Sequence, residues 1–120
     1  MPDKQFRFQD FEIWRNGVAM SGDLFALADE LEKRRLFRFA EQLRGATLSI
    51  TNNIAEGSGS VSKVDFAHFL NMARRSVFEV ANMLFVFSMH GYLAAPQINP
   101  LLPRLEEESR KILSFMRSLR

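Results

Sequence analysis

Between residues 39 and 57 apolar side chains recur every three or four positions, Phe39, Leu43, Ala46, Ile50 and Ile54, and the row closes on Gly57. A turn of about 100° per residue gathers them on one face of an α-helix. A second row, Gln42, Ser49, Asn53 and Glu56, runs along the edge of that face instead of opposing it. Polar atoms at such an edge need hydrogen-bond partners, so this row is expected to meet another helix or another subunit and help set the register of the contact. The β-branched Thr47, Ile50, Thr51 and Ile54 make a strand the rival reading. Nothing else in the chain offers a partner strand, and the spacing predicts a helix from about Leu36 to Glu56, ended by Ser58-Gly59-Ser60.

The same periodicity organises the rest. Residues 1–9 read as a short N-terminal arm and residues 10–120 as one domain, with Asp10 as N-cap of a first helix. That helix carries two apolar stripes, Phe11, Trp14, Val18, Phe25 and Ala28 on one side and Ile13, Met20, Leu24, Leu27 and Leu31 on another. An outer helix of a monomeric bundle needs one stripe, so the second calls for cover by another helix or subunit. Gly17 and Gly22 weaken the helix and suggest a closely approaching neighbour. The chain turns around residues 33–36 without a glycine to mark the place.

Ser62, with Asp65 three residues later, opens a third and longest helix reaching about His90, with Gly91 as its C-cap. Phe66, Leu70, Ala73, Val77, Val80, Leu84 and Phe87 form its core stripe, and Phe78, Phe85 and Met89 fall outside it. The last helix begins near Pro96 and is regular from about Pro103, with Leu105, Ile112, Met116 and Leu119 on its apolar face. The fold expected is all-α, an antiparallel up-down-up-down four-helix bundle, and the surplus stripes argue for a homo-oligomer.

Charge and composition narrow the chemistry. With 120 residues the chain can bury one core without staples. It has no Cys, which removes disulfides, thiolate metal sites and a cysteine nucleophile and fits a reducing cytoplasm. The polar start is not a signal peptide, and no apolar run has the 18 or so residues of a membrane span. Twelve of the sixteen cations are Arg, the side chain suited to bidentate contact with phosphate or carboxylate. The candidate nucleic-acid contacts are Arg34, Arg35, Arg38 and Arg44, then Arg74 and Arg75, then Arg110, Lys111, Arg117 and Arg120. On one subunit these read as an ordinary charged exterior, whereas repetition around a symmetric ring would multiply their field toward RNA or DNA.

No assembled catalytic set is visible. His68 and His90 lie 22 positions apart on one helix and lack metal-pair spacing. Glu106-Glu107-Glu108 reads as a solvated cluster suited to a helix N-terminus. No cofactor or metal site is expected.

The segments Gln42-Leu43-Arg44, Ser49-Ile50 and Asn53-Ile54-Ala55-Glu56-Gly57 resemble the signature of the small bacterial four-helix-bundle proteins encoded in intervening sequences of 23S ribosomal RNA genes. Phe11 and Trp14, then Phe69-Leu70, Ala73, Ser76 and Glu79, then Gly91-Tyr92-Leu93 extend the resemblance over nearly the whole chain. It implies an antiparallel four-helix subunit and a homopentameric ring, and it supplies no catalytic residues to carry over. The chain is also similar to the accessory protein of diversity-generating retroelements, a basic pentamer that binds nucleic acid and its reverse transcriptase. Gly45 stands where the family commonly has a basic residue, and Arg74-Arg75 where a small residue often precedes Ser76. The resulting expectation is a cytoplasmic, non-enzymatic homo-oligomer that binds RNA or DNA. The alternative is a scaffold or adaptor for a protein such as a reverse transcriptase.

Overall fold

Four long helices carry the apolar rows into one core. The computed structural model describes residues 3–120. A 3-10 turn at Arg7–Asp10 precedes α1 (Glu12–Lys33), α2 (Phe37–Ser58), α3 (Lys63–Met89), a single-turn α4 (Ala95–Ile98) and α5 (Leu102–Ser118). Among the described residues there is no strand. The β-branched positions of α2 are helical because their neighbours offer a helix-shaped groove and no sheet edge.

Cross-helix pairs give the direction of each helix. Gly17 faces Thr51, while Asp29 and Glu32 lie 2.7 and 3.1 Å from Arg44, so α1 and α2 run oppositely. The Phe39 and Phe87 rings are 5.3 Å apart, Ser49 meets Ser76 at 2.6 Å, and Gly57 faces Phe66 and Phe69, which makes α2 and α3 antiparallel as well. Phe66 packs on Phe115 with centroids 5.4 Å apart, and Arg104 reaches back to Asp23 at 2.7 Å, placing α5 against both α3 and α1.

Leu24 and Leu31 of α1, Leu43, Ile50 and Ile54 of α2, Leu70, Val77 and Leu84 of α3, and Leu105 and Ile112 of α5 fill the core. Leu93, Ile98 and Leu101 close one end. Each large side chain removed from water contributes roughly 1.5–3 kcal/mol. The α3 stripe from Phe66 to Phe87 is buried at every expected position, and Ser62 caps that helix by accepting from the Asp65 amide at 3.1 Å.

Two helices end in the same motif with different residues. Gly91, at φ +76°, sends its N–H to Ser88, and the Tyr92 N–H returns to the Phe87 carbonyl at 2.8 Å. Arg35, at φ +65°, does the same for α1, with its own N–H on Glu32 and the Leu36 N–H on Leu31 at 3.0 Å. A Cβ in this left-handed region costs about 1–2 kcal/mol. Gly91→Ala should therefore destabilise, and Arg35→Gly stabilise, by about that amount in urea denaturation.

Some expectations shift. The first helix starts at Glu12 with Phe11 as its cap, because the Arg7–Asp10 turn occupies the place foreseen for an Asp10 cap. Of the arm, Met1 and Pro2 lie outside the described residues. Residues 3–7 are exposed, but the end of the arm is anchored: Phe8 meets the Trp14 ring at 5.1 Å, and Arg7 donates through Nε to the Ser58 carbonyl at 3.1 Å. Together with Phe66 and Phe115, which flank Phe11, this covers the start of the α1 stripe that carries Phe11 and Trp14 from within the chain. The surplus on α3 stays uncovered, with Phe78 54%, Phe85 50% and Met89 84% exposed. Gly17 is a point of close approach, but a Cβ on Gly22 would meet nothing within 4 Å, so that glycine is not a contact position.

Candidate functional site

The polar edge of α2 finds its partner on α3. The Ser49 and Ser76 hydroxyls are 2.6 Å apart, with the carbonyls of Ala46 (2.8 Å) and Met72 (3.2 Å) available to whichever proton the link does not use. Asn53 donates through Nδ2 to the Ser49 carbonyl at 2.8 Å and borders a shallow groove. That groove, about 370 Å³, is lined by Asn53, Met72, Arg75, Ser76 and Glu79. Ser49, Asn53, Ser76 and Glu79, polar residues of the signature on α2 and α3, thus meet at one seam within the subunit. Gly57 sits further along the same seam, while Gln42 and Glu56 are exposed. A Ser49→Ala, Ser76→Ala double-mutant cycle should give a coupling of about 0.5–1.5 kcal/mol from chemical denaturation.

The structure sorts the ten candidate cations into two groups. Arg34 donates to the Gly91 and Tyr92 carbonyls, both at 2.8 Å, tying the α1 end to the α3 end. Arg44 is clasped by Asp29, Glu32 and Glu41, hydrogen bonds that push its pKa further upward. Arg74 donates to the Ser109 carbonyl at 3.2 Å and lies over the Phe78 ring. Lys111 bonds Glu12 and Glu107, which raise its pKa, and Lys111 in turn lowers that of Glu12. Arg110 has only a 3.5 Å contact with Glu106, both ends well exposed, which adds little.

Arg35, Arg38, Arg75, Arg117 and Arg120 are exposed and, among the described residues, make no ion pair within 4.0 Å. They do not form one patch. Arg35 and Arg38 lie at the α1–α2 turn, Arg75 in the α2–α3 groove, and Arg117 and Arg120 at the far end of α5.

One residue departs from its sequence reading altogether. Glu106 and Glu107 face solvent, but Glu108 is 1% exposed, and neither of its carboxyl oxygens has a hydrogen-bond partner. Burial pushes its pKa up to about 8; nearby Lys111 and, less strongly, the adjacent Asn16 side chain oppose that shift, and Glu12 and Glu107 add to it. The signal was present in the spacing, since Glu108 falls between Leu105 and Ile112 on the inward face of α5. His68 and His90 are both exposed, and among the described residues no group of three His, Asp or Glu side chains is placed to hold a metal. No helix of the described residues is long and apolar enough to cross a membrane.

A search of curated proteins gives no match. A family model, described as 23S rRNA-intervening sequence protein, matches residues 9–114, a span that runs from the Arg7–Asp10 turn through most of α5. The match therefore takes in the α2 signature, the α3 seam and the packed aromatic start of α1 together, and the chain belongs to the 23S rRNA-intervening sequence protein family.

Proposed function

We propose that this chain is a non-enzymatic subunit of a cytoplasmic homo-oligomer, a pentamer by the resemblance described above, which binds RNA or DNA through repeated arginines. The observation that carries self-association is the uncovered apolar row on α3, where Phe78, Phe85, Val86 and Met89 all remain exposed. A row of that kind on a folded subunit is the usual mark of a protein contact. The nucleic-acid reading rests on Arg35, Arg38, Arg75, Arg117 and Arg120, which keep their charge available. Their dispersal over both ends and one groove makes a lone subunit a poor phosphate binder, so binding belongs to the assembly.

Light scattering and a salt series test the two parts separately. The expected mass is several times 13.8 kDa, and the expected affinity for RNA or DNA falls steeply as salt rises, because phosphate contacts release counterions. A monomer at all concentrations would overturn the assembly, and absence of any complex at the lowest salt would overturn nucleic-acid binding. Gly45 offers a gain-of-function check: the space above it is empty, so Gly45→Arg should tighten binding without disturbing the fold. The second reading, an adaptor for a protein such as a reverse transcriptase, is favoured by an apolar groove of about 340 Å³ between α3 and α5, lined by Phe78, Ala81, Phe85, Leu102 and Leu105. Binding of such a protein with little salt dependence, and loss of it in Phe85→Asp, would support that alternative.

A further inference from the structure

The seam between α1 and α5 contains a feature that neither assembly nor phosphate binding uses. We propose that Glu108 is a proton-operated latch: its neutral carboxyl lets α5 close on α1, and its ionisation loosens that seam while α5 stays docked on α3.

Geometry carries the proposal. Glu108 points at α1 over Gly17, with Oε2 only 3.5 Å from where a Gly17 Cβ would stand, and it is buried with neither carboxyl oxygen hydrogen-bonded. Glu108 itself lines a crevice of about 180 Å³, together with Asn16, Ala19, Met20, Arg104, Glu107 and Lys111. The crevice is polar and large enough to admit water once a charge demands it. α5 rests mainly on α3 and touches α1 along a shorter contact, so the α1 side is the one that can part.

No counter-ion stands ready inside the closed seam. From α1 the facing charge is Glu12, and from α5 they are Glu107, Lys111 and Arg104. Lys111 is already held by Glu12 and by Glu107 at 2.9 Å, and Arg104 by Asp23 at 2.7 Å. α2 presents the uncharged Ile50 and Thr51 to Gly17, and α3 contributes Arg74, committed to the Ser109 carbonyl at 3.2 Å. An ionised Glu108 becomes a third carboxylate around one lysine, and the uncharged Asn16 amide in the crevice offsets little of that charge until water enters. The upward displacement of its pKa agrees with this direction and puts the transition on the alkaline side of neutrality.

Hydrogen exchange on the full chain, followed by mass spectrometry at pH 6 and pH 9 and corrected for intrinsic rates, tests the latch. The expected result is a loss of protection in α5 peptides between the two pH values at least tenfold greater than the loss in the central parts of α2 and α3, which register only the fall in global stability. Glu108→Gln should keep its α5 protection at pH 9, and Glu108→Met carries the same expectation should the amide variant fold poorly. The proposal is overturned if α5 protection is the same at both pH values in the unaltered chain. It is equally overturned if α5 loses no more protection than the central parts of α2 and α3, or if the variants lose as much as the unaltered chain.

Discussion

Glu108→Leu is expected to make the bundle more stable, and the gain should grow with pH. The sign follows from linkage. In the unfolded chain the carboxyl releases its proton near its ordinary 4.5, whereas in the folded chain burial holds the proton until about pH 8. Between those values the unfolded state binds fewer protons, so stability falls as pH rises, by about 1.4 kcal/mol per pH unit for one group. Below pH 4.5 the two states are equally protonated and above about 8 equally ionised, so the dependence levels off on both sides. Removing the group removes this slope. At pH 7 the leucine variant should gain about 3 kcal/mol from that source, and a further 1–3 kcal/mol because no buried oxygen is left without a partner. Urea denaturation of both proteins from pH 4 to 9 measures the difference. A constant offset across that range would show that Glu108 titrates normally and that the seam already solvates it.

Gly57→Ala is expected to destabilise, although alanine is the better helix former by about 1 kcal/mol. The glycine lies in the last turn of α2, where an added Cβ would stand 2.7 Å from the Phe69 Cβ and 3.0 Å from the Phe66 ring. The first of these is a branch point fixed to the α3 backbone, so the helices themselves must part. Overpacking of this kind costs typically 1–3 kcal/mol, which outweighs the gain in propensity. Gly45→Ala supplies the control. It sits in the same helix with nothing within 4 Å of its Cβ and should gain about 1 kcal/mol. Equal and opposite shifts in melting temperature would separate close helix contact from helix propensity. Stabilisation by both alanines would mean that α2 and α3 do not approach as closely as the geometry requires.

These two residues show what was legible in the sequence and what was not. Gly57 falls on the apolar face of α2, so its placement at a contact followed from periodicity alone. How close the contact is did not, because Gly17 and Gly22 have similar sequence settings and only Gly17 meets a neighbour. Glu108 occupies an inward position by the same arithmetic, but two adjacent glutamates gave it the look of a solvated cluster. The row of Ser49 and Asn53 was recognisable as seam-forming, and the structure supplied the partner, Ser76, on α3. Among the arginines, sequence could not distinguish Arg38 from Arg44, since the three carboxylates that occupy Arg44 come from two helices.

What the sequence determined by itself is therefore the set of elements and their faces: four long helices, the α3 stripe from Phe66 to Phe87, the Ser62 and Gly91 caps, and a surplus of phenylalanine on α3. These depend on a rotation of about 100° per residue and on local backbone preferences, both carried by neighbours in the chain. Tertiary structure decided which arginines are spent on carbonyls and carboxylates and which remain open, which glycine touches a neighbouring helix, and that one carboxyl lies sealed against α1. Each of those outcomes depends on distances of a few ångströms between side chains on different helices. Such distances arise only when the bundle closes, because they follow from how the helices pack and not from the periodicity of any one of them.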